Sequence, residues 1–246
     1  MTKYYLYLGF AHILGDFYFQ TEKLATEKEK KYTGVLKHSV EYLLVSLALA
    51  LLVPHPDMII AAFLTALAHA IIDSLKYILI RKRVFKNSWN TFWIDQVAHL
   101  ISILLMAFFM FRYNFVVNTK ILDAVSGYYS FSLDSVLRWI LVLLILHKPS
   151  NILIQKFLAE YKPIGAGTDM NAIIATKNAG IMIGTIERII MIILIAIGQY
   201  SALGLVLTAK SITRYNKIVN EKDFAEYYLL GTLLSFLCVL LASVLI

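Results

Sequence analysis

Cysteine is almost missing from this sequence. The single Cys238 among 246 residues cannot form a disulfide within the chain, and no Cys-based metal or redox motif exists. Charge is scarce too: 16% of residues are charged, against about 25% in ordinary soluble domains. Hydrophobic residues make up 59%, and the mean hydropathy is +0.71. Too little polar surface remains to cover a soluble domain of this length, which would expose apolar patches and aggregate. The 15 Tyr and 14 Phe exclude a solvated, disordered chain. What is present therefore points to an all-α, polytopic membrane protein.

Apolar runs of about 17–25 residues cross a bilayer as helices. The sequence predicts about eight, at 3–20, 39–54, 57–80, 91–112, 133–148, 178–197, 199–213 and 224–246. They divide into two four-helix halves, an N-terminal domain over 1–115 and a C-terminal domain over 116–246. The second and seventh are short and are expected to be tilted or incompletely spanning. Pro54-His55-Pro56 predicts a tight turn, because neither proline continues a helix, and Gly198-Gln199-Tyr200-Ser201 predicts a similar break.

The formal charge of +7 is informative through its placement. Lys and Arg gather at 21–38 (Lys23, Lys28, Lys30, Lys31, Lys37), 81–90, 148–177 and 210–223, and these segments alternate with basic-poor ones. Eight spans and the positive-inside rule require that alternation. The expectation is a multi-pass cell-membrane protein with both termini outside the cytoplasm. Its basic segments also suit anionic inner-leaflet lipids. No base-stacking or groove-reading motif accompanies the charge, so nucleic acid is not an expected partner. The first run carries His12 and Asp16 behind a lone Lys3, and reads as a retained span rather than a cleaved signal.

An ionisable group in a hydrocarbon span costs at least ~2.5–3.5 kcal/mol. This chain has three spaced pairs: His12-x-x-x-Asp16, His69-x-x-x-Asp73 and Asp95-x-x-x-His99. Residues four apart share a helix face, so each pair aims an imidazole and a carboxylate at one point. The inferred topology puts all three within a layer of roughly 10 Å in the cytoplasmic half, with His38 opening the second span there. Imidazole nitrogen with carboxylate oxygen is a shell for Zn, Mn or Fe, and the number of pairs suits one ion or two. The alternative is a metal-free network in which the same groups hold helices together. Asp95 and His38 are the catalytic candidates, with Asp95 free as a general base. Gln20, Lys76 and Gln96 are expected either to support the ligand side chains from behind or to face substrate, although snorkelling towards the cytoplasm is the simpler reading of Lys76.

The other histidines carry less. His55 is expected to be solvated in its turn, and His147 to favour the dipole at an inner helix end before Pro149. Asp134 and Arg138 read as a local i,i+4 ion pair. In the second half, Glu187, Arg188, Lys210 and Arg214 form a further polar set. Its cations suit a phosphate or carboxylate, or Glu187 neutralises one of them. Gly180-x-x-x-Gly184 permits close helix approach. Gly165-Ala166-Gly167-Thr168 lacks the Gly-Lys-Ser/Thr ending of a P-loop and reads as a loop.

The ordered motifs Ala11-His12-Ile13-Leu14-Gly15-Asp16-Phe17 to Gln20, Leu36-Lys37-His38, His69-Ala70-Ile71-Ile72-Asp73 with Leu75-Lys76, and Ile94-Asp95-Gln96-Val97-Ala98-His99 resemble the bacterial membrane family known as domain of unknown function 3307. The resemblance covers about the first 115 residues. Ile186-Glu187-Arg188, Gly198-Gln199-Tyr200-Ser201-Ala202, Ala209-Lys210-Ser211 and Gly231-Thr232-Leu233-Leu234-Ser235 look like the membrane half often attached to such proteins. That family implies a bacterial inner-membrane protein and no established activity. The His/Asp pairs are also similar in style to those of small bacterial membrane proteins described as metal-dependent hydrolases, an analogy only.

Three functions stay open, and an oligomer is compatible with each. The favoured one is a metal-dependent hydrolase acting on a phosphate- or acyl-bearing, lipid-like substrate at the inner leaflet, with Arg188 and Lys210 holding an anionic head group. No Ser-His-Asp or Cys-His order points to covalent catalysis. The second is a transporter of a metal ion or proton, and the third a non-catalytic scaffold.

Overall fold

Every element is helical among the residues that the computed structural model describes, which are 2–85, 88–120, 132–162 and 170–246. A chain this apolar must satisfy its backbone N–H and C=O groups internally, and helices do so within each segment. Helix α1 (Thr2–Ile13) runs directly into a π-helical segment (Leu14–Phe19). Then follow α2 (Glu22–Lys30), α3 (Tyr32–Leu52), α4 (Pro56–Arg81) and α5 (Trp89–Arg112). The second part holds α6 (Leu133–Leu158), α7 (Met170–Ala196), α8 (Tyr200–Ile212), α9 (Tyr215–Asn220) and α10 (Lys222–Ser243). The Gly165–Thr168 stretch lies outside the described residues.

Six described helices are long and apolar enough to cross a membrane: α3, α4, α5, α6 with its closing turn, α7 and α10. The expectation of eight is therefore approximate. The first expected span is split between α1 and the π segment. The seventh, α8, has 13 residues and is about 20 Å long, short of a hydrocarbon core of about 30 Å. The second is longer than expected and starts at Tyr32 rather than 39, because its polar first turns are supported from α2 (Lys37 Nζ to Glu27 Oε1, 2.7 Å). His38 thus lies inside α3 rather than at its mouth. Both turn predictions hold. His55 caps α4 by accepting from the Asp57 N–H (3.3 Å) instead of facing water freely, and Gly198 (φ +73°) breaks α7 from α8.

Pro149 does not end its helix. Helix α6 continues to Leu158, which leaves His147 mid-helix, away from any helix-end dipole. Pro149 has no N–H to give the Ile145 carbonyl four residues back, and its ring crowds that turn. Here Ser150 Oγ donates to the Ile145 carbonyl (2.8 Å) and Arg188 Nε donates to the Leu146 carbonyl (2.8 Å). Side chains that re-satisfy freed carbonyls let a membrane helix carry proline. Near the start of α6, Arg138 Nε pairs with Asp134 Oδ2 at 2.8 Å.

The chain falls into two compact units, Met1–Leu141 and Val142–Ile246. In the first, α3 packs along α4, α4 along α5, and α1 against α3 and α5. Tyr7 and Leu8 of α1, Ala50 of α3, Ala61 and Ala62 of α4 and Met110 of α5 fill one end of this bundle. Alanines there let backbones approach closely, a source of helix association that survives without water as the solvent. Outward faces carry Leu44, Leu67, Ile71, Leu104, Leu105 and Phe108, all exposed. A soluble bundle would place those residues inside; a lipid-facing one places them outside. In the second unit, α7 packs against α8 and α10, and α9 against α10.

Helix α2 is polar and folds back onto α3 at Gly34, where a Cβ would come within 2.5 Å of the Glu27 carbonyl carbon and the Lys28 nitrogen. Only glycine admits that backbone approach. Gly34→Ala is expected to cost about 1–3 kcal/mol of local stability by pushing α2 off α3. Hydrogen exchange would register faster amides across 22–30 with α3 unchanged, and equal rates in both proteins would contradict the close packing.

Candidate metal centre

The end of the first bundle opposite its apolar core is polar. His12 comes from α1, Asp16 from the π segment, His38 from α3, His69 and Asp73 from α4, and Asp95 and His99 from α5. All seven side chains meet in one cluster. His12, His38, His69, Asp73, Asp95 and His99 are buried, and the Asp16 side chain is 8% exposed.

Asp16 lies at one side. Its Oδ1 accepts from His69 Nε2 (2.7 Å) and His38 Nε2 (3.1 Å), while its Oδ2 sits 3.7 Å from His12 Nδ1. The π geometry widens the turn between His12 and Asp16; such segments recur at functional sites. His69 is central, stacked on His99 (ring centroids 4.3 Å) and on Tyr42 (3.8 Å). Gly15 makes room for the Tyr42 ring, since a Cβ there would meet ring carbon Cδ2 at 2.6 Å. Asp73 and Asp95 lie on the far side, with His99 Nε2 at 3.7 Å from Asp73 Oδ1 and from Asp95 Oδ1.

Three overlapping trios have mutual ligand-atom distances within 4.8 Å: His12, His69 and His99; Asp16, His38 and His69; Asp73, Asp95 and His99. Ligands about 2.0–2.2 Å from a tetrahedral ion sit roughly 3.4 Å apart, so modest side-chain rotation closes any of them. The donor set fits a cation on a second ground. Buried His12 Nδ1, His69 Nδ1, His99 Nε2, Asp73 Oδ1 and Asp95 Oδ1 have no hydrogen-bond partner among the described residues. Orphaned buried polar atoms are rare and each needs an explanation, and an ion supplies one.

Lys28 is the residue that sequence reasoning missed. It reads as one orientation charge among several, yet its Nζ lies 2.6 Å from Asp73 Oδ2 because α2 folds back over Gly34. Burial opposes the ammonium charge, but the Asp73 and Asp16 carboxylates outweigh it and hold the Lys28 pKa above its ordinary value. The pair is therefore intact at neutral pH and is lost only as pH rises past that raised value. Glu41 was missed too; its Oε2 is buried 3.8 Å from His38 Nδ1. Lys76 does not snorkel. It donates to Asp95 Oδ2 (2.8 Å), as does Gln96 Nε2 (3.3 Å), so one oxygen of Asp95 is held and only Oδ1 lacks a donor. Gln20 closes the π segment through its backbone N–H to the Gly15 carbonyl (3.3 Å), and its side chain makes no hydrogen bond to the cluster.

The second unit has its own polar set. Lys210 Nζ pairs with Glu187 Oε2 at 2.7 Å. Arg188 is 1% exposed, and besides the Leu146 carbonyl it donates to Asn151 Oδ1 (2.7 Å), Thr185 Oγ1 (3.3 Å) and Ser235 Oγ (3.3 Å). Gly184 provides space for that guanidinium rather than for a neighbouring helix, and a Cβ at Gly180 would meet nothing within 4 Å. Among the described residues, neither glycine brings a neighbouring helix into close approach. Arg214 is exposed after α8, where α9 begins.

Six helices apolar enough to cross a membrane, five of the cluster's seven side chains on three of them, define a multi-pass helical membrane protein with a buried His/Asp cluster. Residues 5–126, just under half of the chain, match the family described as "Protein of unknown function (DUF3307)". No curated protein matches the chain, and no solved structure does.

Proposed function

We propose that the cluster holds one or two divalent metal ions and that the protein is a metal-dependent hydrolase of a phosphate- or acyl-bearing, lipid-like substrate. The observation that supports this most is the set of orphaned ligand atoms within three overlapping trios. Bound Zn, Mn or Fe would supply Lewis acidity and a water of lowered pKa. His12, His69 and His99 with Asp16 and Asp73 would hold it. Asp16 orients His38 and His69, as carboxylates orient ligand imidazoles elsewhere. Asp95 would take a proton at Oδ1, the oxygen left open by Lys76 and Gln96. His38, with Nδ1 3.8 Å from Glu41 Oε2, is proposed as a second proton-carrying group on the other side of the cluster. Lys76, bonded to Asp95, and Gln20, at the end of the π segment, are the proposed contacts for the substrate's polar part.

Positive-inside reasoning puts the centre in the cytoplasmic half, with both termini outside. Terminal reporter fusions check this: activity of an external reporter at each end is expected, and a cytoplasmic C-terminus would break the eight-span topology.

The activity test uses full-length protein purified without chelators and panels of phospholipids and isoprenoid phosphates. Hydrolysis by the wild type is expected, with Asp95→Asn reducing kcat by about 10²–10⁴-fold. No turnover on either panel would sink the hydrolase. One observation favours transport as a second reading: the Lys28 ammonium occupies the carboxylate that a travelling cation would seek. Metal-dependent ion flux in liposomes without hydrolysis would decide for it.

A further inference from the structure

We propose that the second unit carries a separate binding site for a lipid with an anionic phosphate head group. The site is a cleft of about 800 Å³ lined by residues of α6, α7, α8 and α10 with the α8–α9 turn. This volume exceeds what a free phosphate needs and suits a head group with the start of its chains.

Its charge is unbalanced. Arg188, Lys210 and Arg214 line the cleft against a single carboxylate, Glu187. That carboxylate is engaged by Lys210. Arg188 is buried with neutral oxygens as its hydrogen-bond acceptors, and among the described residues no carboxylate pairs with it directly. A buried cation is costly without a counter-charge, and a phosphate supplies one. Four donated bonds leave one guanidinium hydrogen, on Nη1, to give. Tyr228 Oη, also in the lining, is buried with no partner among the described residues. The rest of the wall is greasy: Ile183, Ile190 and Leu205 line the cleft and are each more than two-fifths exposed. A polar, cationic floor beside exposed apolar flanks selects an amphiphile. The site requires no residue of the His/Asp cluster and stands whether or not that cluster binds metal.

The test titrates full-length protein in neutral detergent with dioctanoyl phosphatidic acid, dioctanoyl phosphatidylcholine and inorganic phosphate. Phosphatidic acid is expected to bind at least about tenfold tighter than phosphatidylcholine. Lys210→Gln should weaken it about tenfold, and Glu187→Gln should tighten it, because a competing carboxylate has gone. That gain cannot arise from misfolding. Millimolar inorganic phosphate is expected not to displace the lipid. Equal affinity for the two lipids, displacement by free phosphate, or weaker binding by Glu187→Gln would each overturn the proposal.

Discussion

Replacing His69 with alanine is expected to abolish stoichiometric metal binding. His69 belongs to two of the three ligand trios, and no other residue but His99 is shared in that way. Losing an outer-shell partner of a metal ligand costs about 10–100-fold in affinity, and removing a ligand common to two positions must exceed that range. The change also removes the ring stacked on Tyr42 and His99, so the comparison needs a packing control. Tyr42→Phe keeps the stacked ring and is expected to retain metal within a few-fold. Titration calorimetry with Zn or Mn reads both. Comparable affinity in His69→Ala and wild type would remove His69 from the shell and leave the cluster as a hydrogen-bonded helix clamp.

The second large effect belongs to Arg188→Leu. This substitution strips donors from the Leu146 carbonyl, Asn151 and Ser235 at once. The Leu146 carbonyl lies beside the one that Pro149 leaves without a helical donor, in a turn that Arg188 helps to hold. Buried acceptors left unsatisfied cost about 1–3 kcal/mol each. Helices in membranes recover part of this through other partners, so a net loss of about 2–4 kcal/mol is expected. For a chain of this size that lowers the melting temperature by roughly 5–15 °C. Arg188→Lys should fall between, since one ammonium cannot span the acceptors that the planar guanidinium reaches. An unchanged melting temperature in Arg188→Leu would mean that the proline turn is satisfied without it.

The membrane class and the three His/Asp pairs were legible in the sequence because each rests on local periodicity. Four-residue spacing places a pair on one helix face whatever its neighbours do. The convergence of seven side chains follows from that spacing and from spans that enter the same bundle. Features set by tertiary folding were not legible. Lys28 sits in a charge-rich stretch and gains meaning only when α2 folds back at Gly34. Pro149 reads as a helix end because its freed carbonyl is answered by a side chain, Ser150, and the turn is further held by Arg188 from another helix. The partners of Arg188 are neutral Asn, Thr and Ser, which carry no signal along the chain. Lys76 looks like a snorkelling cation until Asp95 is found 2.8 Å away. The π segment that carries Asp16 has no sequence signature in this chain at all.

Metal content tests the central claim most directly. Full-length protein purified in detergent without chelators would be analysed by elemental mass spectrometry, and its bound ion by X-ray absorption. About one or two divalent ions per chain are expected, in a shell of imidazole nitrogen and carboxylate oxygen, and none in His69→Ala/Asp73→Ala. A wild-type protein that stays metal-free after incubation with Zn, Mn and Fe, or a double variant that retains its ion, would contradict the account.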